Sequence, residues 1–151
     1  MPNGAVMGQS DWRDYTLSLR FKTVSRGTDW RDGPWIGFRY TDPGQAYALD
    51  FSNRNVVLHK AYQGAATGDT GSLAEAPWSA DEAWHKLAVR VSGNSIAALL
   101  DGKPLLSATD SNLLGVGPIP SGGICLCARR WPGGEGHTEV LFDDVRVELG
   151  K

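Results

Sequence analysis

The sequence has few cysteines and no excess of basic residues, and each shortage argues against a class of protein. Cys125 and Cys127 are the only cysteines, two positions apart. On one strand they are badly placed to bridge each other, and no second Cys/His pair at zinc-finger spacing accompanies them, so we expect buried free thiols. Fifteen basic and seventeen acidic residues give a formal charge of -2. A nucleic-acid partner is therefore not predicted.

Long apolar runs and long helical patterns are also missing. No stretch approaches the roughly 18 uninterrupted apolar residues of a membrane helix, so no membrane partner is predicted. The N-terminal segment MPNGAVMGQSDW has neither the basic nor the apolar region of an export signal. A module cut from a secreted protein would look the same, so the compartment stays open. Residues 79–82 are the one segment that suggests a helical turn.

What the chain does have is the composition of a globular domain rich in turns. Its 151 residues fit a single domain, residues 1–151, and 41% hydrophobic residues suffice for a core. Nineteen glycines and eight prolines are scattered through the sequence without a period. This excludes collagen and indicates many tight turns.

Short alternating segments predict strands throughout. Residues 15–21 alternate strictly, with Tyr15, Leu17, Leu19 and Phe21 as the buried set. The runs WIGFRY and AYALDF flank TDPGQ, which predicts a hairpin with Tyr40 opposite Ala46. Strands at 84–91, 96–100 and 104–108 form a meander whose second turn is Asp101-Gly102. Residues 63–77 are predicted to be a surface loop. About ten such strands indicate an antiparallel sandwich or barrel.

The order of these features resembles the concanavalin A-like lectin/glucanase superfamily, in its laminin-G-like and levan-binding-module branches. The segments are DYTLSLRF, WIGFRYTDPGQAYALDF, WHKLAVRVSGNSIAALLDGKPLLSATD, GGICLCARR and FDDVRVEL, which together span roughly residues 12–149. The resemblance implies an all-β, antiparallel jelly-roll sandwich, with sugar binding as its commonest role. The motifs are mostly structural and identify a fold better than a ligand.

The sequence departs from these relatives in two ways. Many relatives have more strands ahead of the Tyr-x-Leu strand, and here residues 5–7 are the one candidate for such a strand. The glucanases carry a Glu-x-Asp-x-x-Glu strand, which this chain lacks. By analogy with the closing strand of some relatives, Asp143 or Asp144 is a candidate calcium ligand, with a solvated role as the alternative. We expect the adjacent positions 143 and 144 to point to opposite faces of the strand.

Three of the six tryptophans lie in or beside glycine-rich polar loops, where a ring can stack on a sugar. They are Trp30, Trp35 and Trp131. Trp131 follows the potential donors Arg129 and Arg130, and it is predicted to be an exposed platform. The other three, Trp12, Trp78 and Trp84, lie at strand starts, where plugging the end of the sandwich is the expected role and sugar stacking the alternative.

Polar residues on three successive strands form the second set of binding candidates. They are Arg39, Tyr47, Asp50 and His59, together with Lys60. The predicted register places Arg39 opposite Tyr47 on one exposed face, and an arginine fork beside a carboxylate suits vicinal hydroxyls. The alternative is that all of them form the solvated face of a one-sided sheet.

These patterns favour a non-catalytic carbohydrate-binding module that recognises a polysaccharide, an oligosaccharide or a chain end and requires no cofactor, with structural calcium left open. The resemblance favours a module of a larger secreted protein. Two alternatives stay open. One is a glycoside hydrolase-like enzyme using loop carboxylates such as Asp29 or Asp32, and the other is a laminin-G-like domain that binds protein.

Overall fold

The computed structural model describes residues 4–150, and strands make up nearly all of their regular structure. In chain order the strands are β1 (Gly4–Met7), β2 (Tyr15–Ser25), β3 (Gly33–Asp42), β4 (Gln45–Phe51), β5 (Asn55–Tyr62), β6 (Thr70–Pro77), β7 (His85–Ser92), β8 (Ser95–Leu100), β9 (Lys103–Thr109), β10 (Gly123–Arg129) and β11 (Glu139–Leu149). A 3-10 turn lies at Leu113–Gly115. Within the described residues, no helix has the length and apolar character that a membrane crossing requires.

The strands form two antiparallel sheets. The six-stranded sheet has the order β1-β10-β3-β4-β5-β6, and the five-stranded sheet has the order β11-β2-β7-β8-β9. Each sheet turns one face toward the other, and the buried apolar residues of both sheets form one core between them. This is an all-β, antiparallel jelly-roll sandwich, as predicted.

The period-2 pattern of β2 explains how the core is built. Tyr15, Leu17, Leu19 and Phe21 are all buried, as predicted, and the residues between them are half-buried. The opposite sheet supplies Phe38, Leu49 and other alternate positions to the same core. A strand with one buried face keeps its register because a one-residue slip would turn the whole apolar set outward.

The predicted turns connect the predicted strands. In the β3–β4 hairpin Asp42 pairs with Gln45, and the Asp42 carboxylate accepts a 2.7 Å hydrogen bond from the Gly44 N–H. Between β8 and β9, Asp101 and Gly102 have φ values of 52° and 79°. Two successive positive φ values match the right-handed twist of a tight hairpin, which explains the Asp-Gly sequence.

Two local predictions are wrong. Residues 70–77, predicted to be loop, form strand β6 at the edge of the six-stranded sheet. Residues 79–82 are not helical; the Asp81 carboxylate accepts a hydrogen bond from the Ala83 N–H and lies 2.7 Å from the His85 Nε2. The segment links β6 in one sheet to β7 in the other.

The N-terminal strand and the cysteines agree with the sequence. Residues 5–7 belong to β1, which pairs with β10. Cys125 and Cys127 on β10 are buried free thiols, with their Sγ atoms 3.0 Å apart. Gly4 lies directly against them, since a Cβ on that residue would stand 2.2 Å from the Cys127 Sγ. Glycine is therefore needed there for β1 to pair with β10.

Candidate functional site

A groove of about 1130 Å³ crosses the outer face of the six-stranded sheet. Trp35, Asp50 and Val57 are direct neighbours across β3, β4 and β5, and they point away from the core. Because side chains two apart share a face, His59 on β5 and Arg129 on β10 point the same way. The groove is therefore built largely on rigid strands.

The polar centre of the groove is formed by Asp50. Its Oδ2 accepts a hydrogen bond from the Arg129 guanidinium, and the His59 Nε2 lies 3.5 Å from the same oxygen. The other carboxylate oxygen, Oδ1, is buried and has no hydrogen-bond partner within the described chain. This oxygen is an unused acceptor that is closed to solvent, so a ligand hydroxyl or a water molecule reaches it only when the side chains around Asp50 move.

Trp35 forms part of the groove floor. Its side chain is almost fully buried and packs with Ala48, Cys125 and Cys127 on the outer face of the sheet. The neighbouring Gly37 leaves room for the indole, because a Cβ there would lie 2.8 Å from the ring. Small residues beneath Trp35 therefore let the ring lie against the sheet.

Trp30 and Trp131 stand at one end of the groove, and arginines cover their rings. The Arg31 guanidinium carbon lies 3.9 Å from the Trp131 ring centroid, and the Arg129 carbon lies 4.6 Å from it. Arg54 lies 4.1 Å from the centroid of Trp30. These distances are typical of cation–π contacts. Trp30 is exposed, whereas Trp131 is only partly exposed because its neighbours enclose it.

Two loops, residues 26–32 and 130–138, are joined beneath these tryptophans. Asp32 is fully buried, and its Oδ1 accepts a 2.6 Å hydrogen bond from the backbone N–H of Trp131. Thr28 and Glu135 exchange two further bonds, from the Thr28 N–H to the Glu135 carbonyl and from the Glu135 N–H to the Thr28 Oγ1. Asp32 therefore positions Trp131, a role that its place in a polar loop did not reveal.

Asp29 is committed to Arg31 on the same loop. Arg31 donates from Nε to Oδ1 and from its terminal nitrogen to Oδ2, both at 2.8 Å. These side-chain bonds, with a backbone bond from the Arg31 N–H, lower the pKa of Asp29 to about 2. Asp29 is thus a fixed anion that orients Arg31, a groove residue that sequence reasoning missed although it follows Trp30 directly.

Seven of the predicted binding residues line this one groove. They are Trp30, Trp35, Asp50, His59, Arg129, Arg130 and Trp131. The sequence suggested them as separate tryptophans, arginines and strand residues, and the sheet topology brings them together. Ser52, Asn55 and Thr138 also line the groove and carried no recognisable signal in the sequence.

The predicted exposure of Arg39 is wrong. The predicted register with Tyr40 opposite Ala46 is also wrong, because the hairpin pairs Phe38 with Tyr47 and is irregular between Phe38 and Asp42. Arg39 itself has a φ of 42°, and this local distortion turns its side chain inward. There it is 1% exposed and donates to three backbone carbonyls and to the Asp14 carboxylate. Burial lowers the pKa of this guanidinium.

Tyr47 is also in the interior, so the predicted exposed pair with Arg39 does not exist. Its hydroxyl donates a 2.6 Å hydrogen bond to Asp110 and accepts one from the Ile119 N–H at 3.0 Å. Burial raises the pKa of the Tyr47 hydroxyl, so it stays protonated. With every bond made inside the core, Tyr47 supports the fold beneath the groove.

Asp143 and Asp144 both face Arg20. The distances from the guanidinium are 2.6 Å to Asp143 and 3.3 Å to Asp144. The expectation that they point to opposite faces is wrong, because the pairing of β11 is irregular there and Asp144 has a φ of 51°. No group of three or more His, Cys, Asp or Glu side chains suited to a metal ion occurs among residues 4–150.

Comparison with solved structures identifies the fold. The carbohydrate-binding module CBM66 from Bacillus subtilis matches with a TM-score of 0.68 and 18% identity over 97% of this chain and 92% of that one. Sheep galectin-11, in a complex with glycerol, matches with a TM-score of 0.65 and 14% identity over 98% and 99% of the two chains. Both matches cover nearly the whole chain, so they share its fold.

A third match is domain 4 of AbnA, an extracellular arabinanase from Geobacillus stearothermophilus, in complex with arabinotriose. It has a TM-score of 0.63 and 17% identity over 97% of this chain and 66% of that one. No protein-family profile and no curated protein sequence matches the chain. The antiparallel jelly-roll sandwich that the sequence motifs imply is confirmed, and these three solved structures share the fold.

Proposed function

We propose that this protein is a non-catalytic carbohydrate-binding module, and that the groove on its six-stranded sheet holds a polysaccharide or its chain end. The observation that carries the proposal is the Asp50–Arg129–His59 centre, set between Trp35 and the tryptophans at the groove end. The presence of the carbohydrate-binding module CBM66 and of an arabinotriose-bound arabinanase domain among the structural neighbours supports it.

The chemistry of the centre suits a sugar. An arginine donor next to a carboxylate acceptor can bond adjacent hydroxyls of one ring, and Asp50 Oδ1 still lacks a partner among the described residues. The exposed part of the Trp30 ring that Arg54 does not cover adds apolar area for the C–H face of a sugar. Binding then depends on directed hydrogen bonds at the centre and on packing at one end.

The dimensions suit an oligosaccharide segment. The groove extends along β4, from Ser52 at one end to Pro43 in the hairpin turn at the other. The seven residues of β4 span roughly 20 Å, which is room for several sugar rings. We therefore propose that the ligand lies along the strands with one end near Trp30 and Trp131.

The groove does not favour hydrolysis. Glycosidases use two carboxyl groups about 5 to 10 Å apart, and Asp50 is the one carboxylate among the described residues that line the groove. Asp29 is ionised and held by Arg31, so it is unsuited to donate a proton. Asp32 is buried behind Trp131. Among the described residues, these loop carboxylates have positioning roles.

The test is isothermal titration calorimetry of the protein against fructans, arabinans, β-glucans, xylans and pectins, each with calcium and with a chelator. We expect saturable binding to one class and the same affinity in both conditions. Asp50→Asn should weaken that binding at least tenfold, because Asn cannot accept the Arg129 and ligand bonds at full strength. Asp143→Asn, on the other sheet, is the matched control and should bind as the wild type does.

Two results would contradict the proposal. One is the absence of binding to every glycan, and the other is unchanged binding by Asp50→Asn in a protein whose circular dichroism is that of the wild type. Selective capture of a protein partner with no glycan binding would favour the laminin-G-like alternative. We further propose that the protein acts as an extracellular module of a larger protein, as the extracellular arabinanase containing the AbnA domain suggests.

A further inference from the structure

The groove has the opposite charge balance to the chain as a whole. The chain has a formal charge of -2. The described residues that line the groove include Arg31, Arg129 and Arg130 but only one carboxylate, that of Asp50. A concave surface with an excess of charge of one sign strengthens the local electrostatic potential and favours ligands of the opposite charge.

Not all of these cations are neutralised by neighbouring carboxylates. Arg31 is paired with Asp29, and Arg129 is paired with Asp50. Arg130 is exposed and donates to the Gly134 carbonyl, and within residues 4–150 it has no carboxylate at ion-pair distance. Arg54, over the Trp30 ring, has none there either. Arg130 and Arg54 are thus guanidinium groups without a paired carboxylate near this end of the groove, where Asp29 and Asp50 are each paired with another arginine and Asp32 is buried.

The tryptophan rings at this end already have guanidinium neighbours. Arg31 and Arg129 both lie over Trp131, and Arg54 lies over Trp30. A neutral sugar that stacked on a covered ring face would have to displace an arginine, and it would gain only dispersion and desolvation in return. An anionic group can instead bond the edges of these guanidinium planes while the cation–π contacts remain.

We propose that the glycan bound in this groove is acidic, carrying carboxylate or sulfate groups. This inference rests on the proposed function, and it names the class of ligand. Arg130 and Arg54 contact the anionic groups near Trp30 and Trp131, while Asp50 and Arg129 bond ring hydroxyls at the centre. Guanidinium groups bind both carboxylates and sulfates as bidentate donors, so the two sources share one chemistry.

The decisive experiment compares polymers that differ only in charge. Polygalacturonate and alginate are titrated beside the same polymers with their carboxyl groups reduced to alcohols, and dextran sulfate is titrated beside dextran. We expect at least one acidic polymer to bind at least tenfold more tightly than its neutral counterpart. We also expect affinity to fall when NaCl rises from 50 to 500 mM, because salt screens these charges. The carboxylate and sulfate arms identify which acidic group is recognised.

Variants locate the effect in the groove. Arg130→Gln and Arg54→Gln, both at exposed positions, should each weaken acidic-polymer binding three- to tenfold and leave folding unchanged. The matched control is Arg90→Gln, an exposed arginine on the five-stranded sheet. It carries the same change in net charge and should bind as the wild type does.

Each remaining outcome contradicts a specific claim. Equal binding of acidic polymers and their neutral counterparts overturns the acidic-glycan inference and leaves the proposed function standing. An effect of Arg90→Gln as large as that of Arg130→Gln shows non-specific attraction and also overturns it. If neither these polymers nor the neutral panel binds, the proposed function fails along with the inference.

Discussion

His59 and Lys60 are neighbours on β5, and they belong to two polar clusters with different properties. Lys60 points inward, where its Nζ lies 2.8 Å from Asp110 and donates to the carbonyls of the segment 113–117. His59 points outward, 3.5 Å from an Asp50 carboxylate that retains an unpaired oxygen among the described residues. The inner cluster is satisfied by the protein itself, whereas the outer one keeps an acceptor that the described residues do not pair.

The contrast shows that a polar residue in an apolar strand can have one of two roles, supporting the interior or lining the groove. Its burial and its hydrogen bonds show which role it has. Arg39, Tyr47 and Lys60 are in the interior and stabilise loops. Asp50 and His59 lie on the groove. We therefore expect substitutions in the inner cluster to change stability and substitutions at the groove to change binding.

The largest effect should come from Lys60→Met. The substitution leaves the Asp110 carboxylate buried without its cation, and breaking such a pair typically costs about 3 to 5 kcal/mol. His59→Met, at the adjacent residue on the opposite face, should cost less than about 1 kcal/mol. Urea unfolding of both variants measures the difference. Equal losses of stability would remove the distinction between the two clusters.

A smaller effect is expected for Asp32→Ala, which should change both stability and glycan binding. The change leaves the backbone N–H of Trp131 without its acceptor, which should lower the free energy of unfolding by about 1 to 3 kcal/mol. Glycan binding should weaken about fivefold because Trp131 loses its anchor. Asp69→Ala, in the exposed 64–69 loop, is the control. Wild-type affinity in Asp32→Ala, measured by calorimetry, would show that positioning Trp131 does not matter for the ligand.

The smallest effect should be a pH-dependent one at a third cluster, remote from the groove. His85 lies 2.7 Å from both Asp81 and Asp101. Burial opposes charging of His85, but the hydrogen bonds to Asp101 and Asp81 outweigh it and raise the His85 pKa above 6.5. Burial likewise acts to raise the Asp101 pKa, but bonds from His85 and the Lys86 N–H lower it below 3.8.

The signs define a pH window. Because the His85 pKa is raised, protonated His85 contributes its full stabilisation of the folded state below pH 6.5. This stabilisation is lost as the pH rises through the folded-state pKa of His85. Because the Asp101 pKa is lowered, ionised Asp101 contributes its full stabilisation of the folded state above pH 3.8. This stabilisation is lost as the pH falls through the folded-state pKa of Asp101. His85→Gln should therefore cost about 1 kcal/mol more at pH 5 than at pH 8. A loss that is equal at the two pH values, or larger at pH 8, would contradict this account of the ion pairs.

The sequence predicted the elements whose pattern is local. The alternation in β2, the Asp-Pro-Gly turn and the Asp-Gly turn each follow from neighbouring residues. Strand β6 escaped prediction because its residues, TGSLAEAP, alternate poorly and the strand pairs only at a sheet edge. Whether an edge segment forms a strand depends more on pairing with the neighbouring strand than on the segment's own residues.

Most residues of the groove were predicted individually, but their arrangement in one groove was not. Trp30, Trp131, Arg129, Asp50 and His59 were candidates from residue type and position. Arg39 was misplaced because a single irregular residue inverts which face a side chain joins, and no local pattern showed it. Asp32 was missed as a positioning residue because its partner, Trp131, is ninety-nine residues away.

The most direct test of the central claim is amide chemical-shift mapping by NMR with a glycan that binds. We predict that the shifted residues cluster around Trp35, Asp50, His59 and Arg129. The interior cluster around Lys60, and Arg90 and Ala97 on the five-stranded sheet, should remain unchanged. Shifts concentrated on the five-stranded sheet, with the groove unaffected, would contradict the claim that the six-stranded sheet carries the binding site.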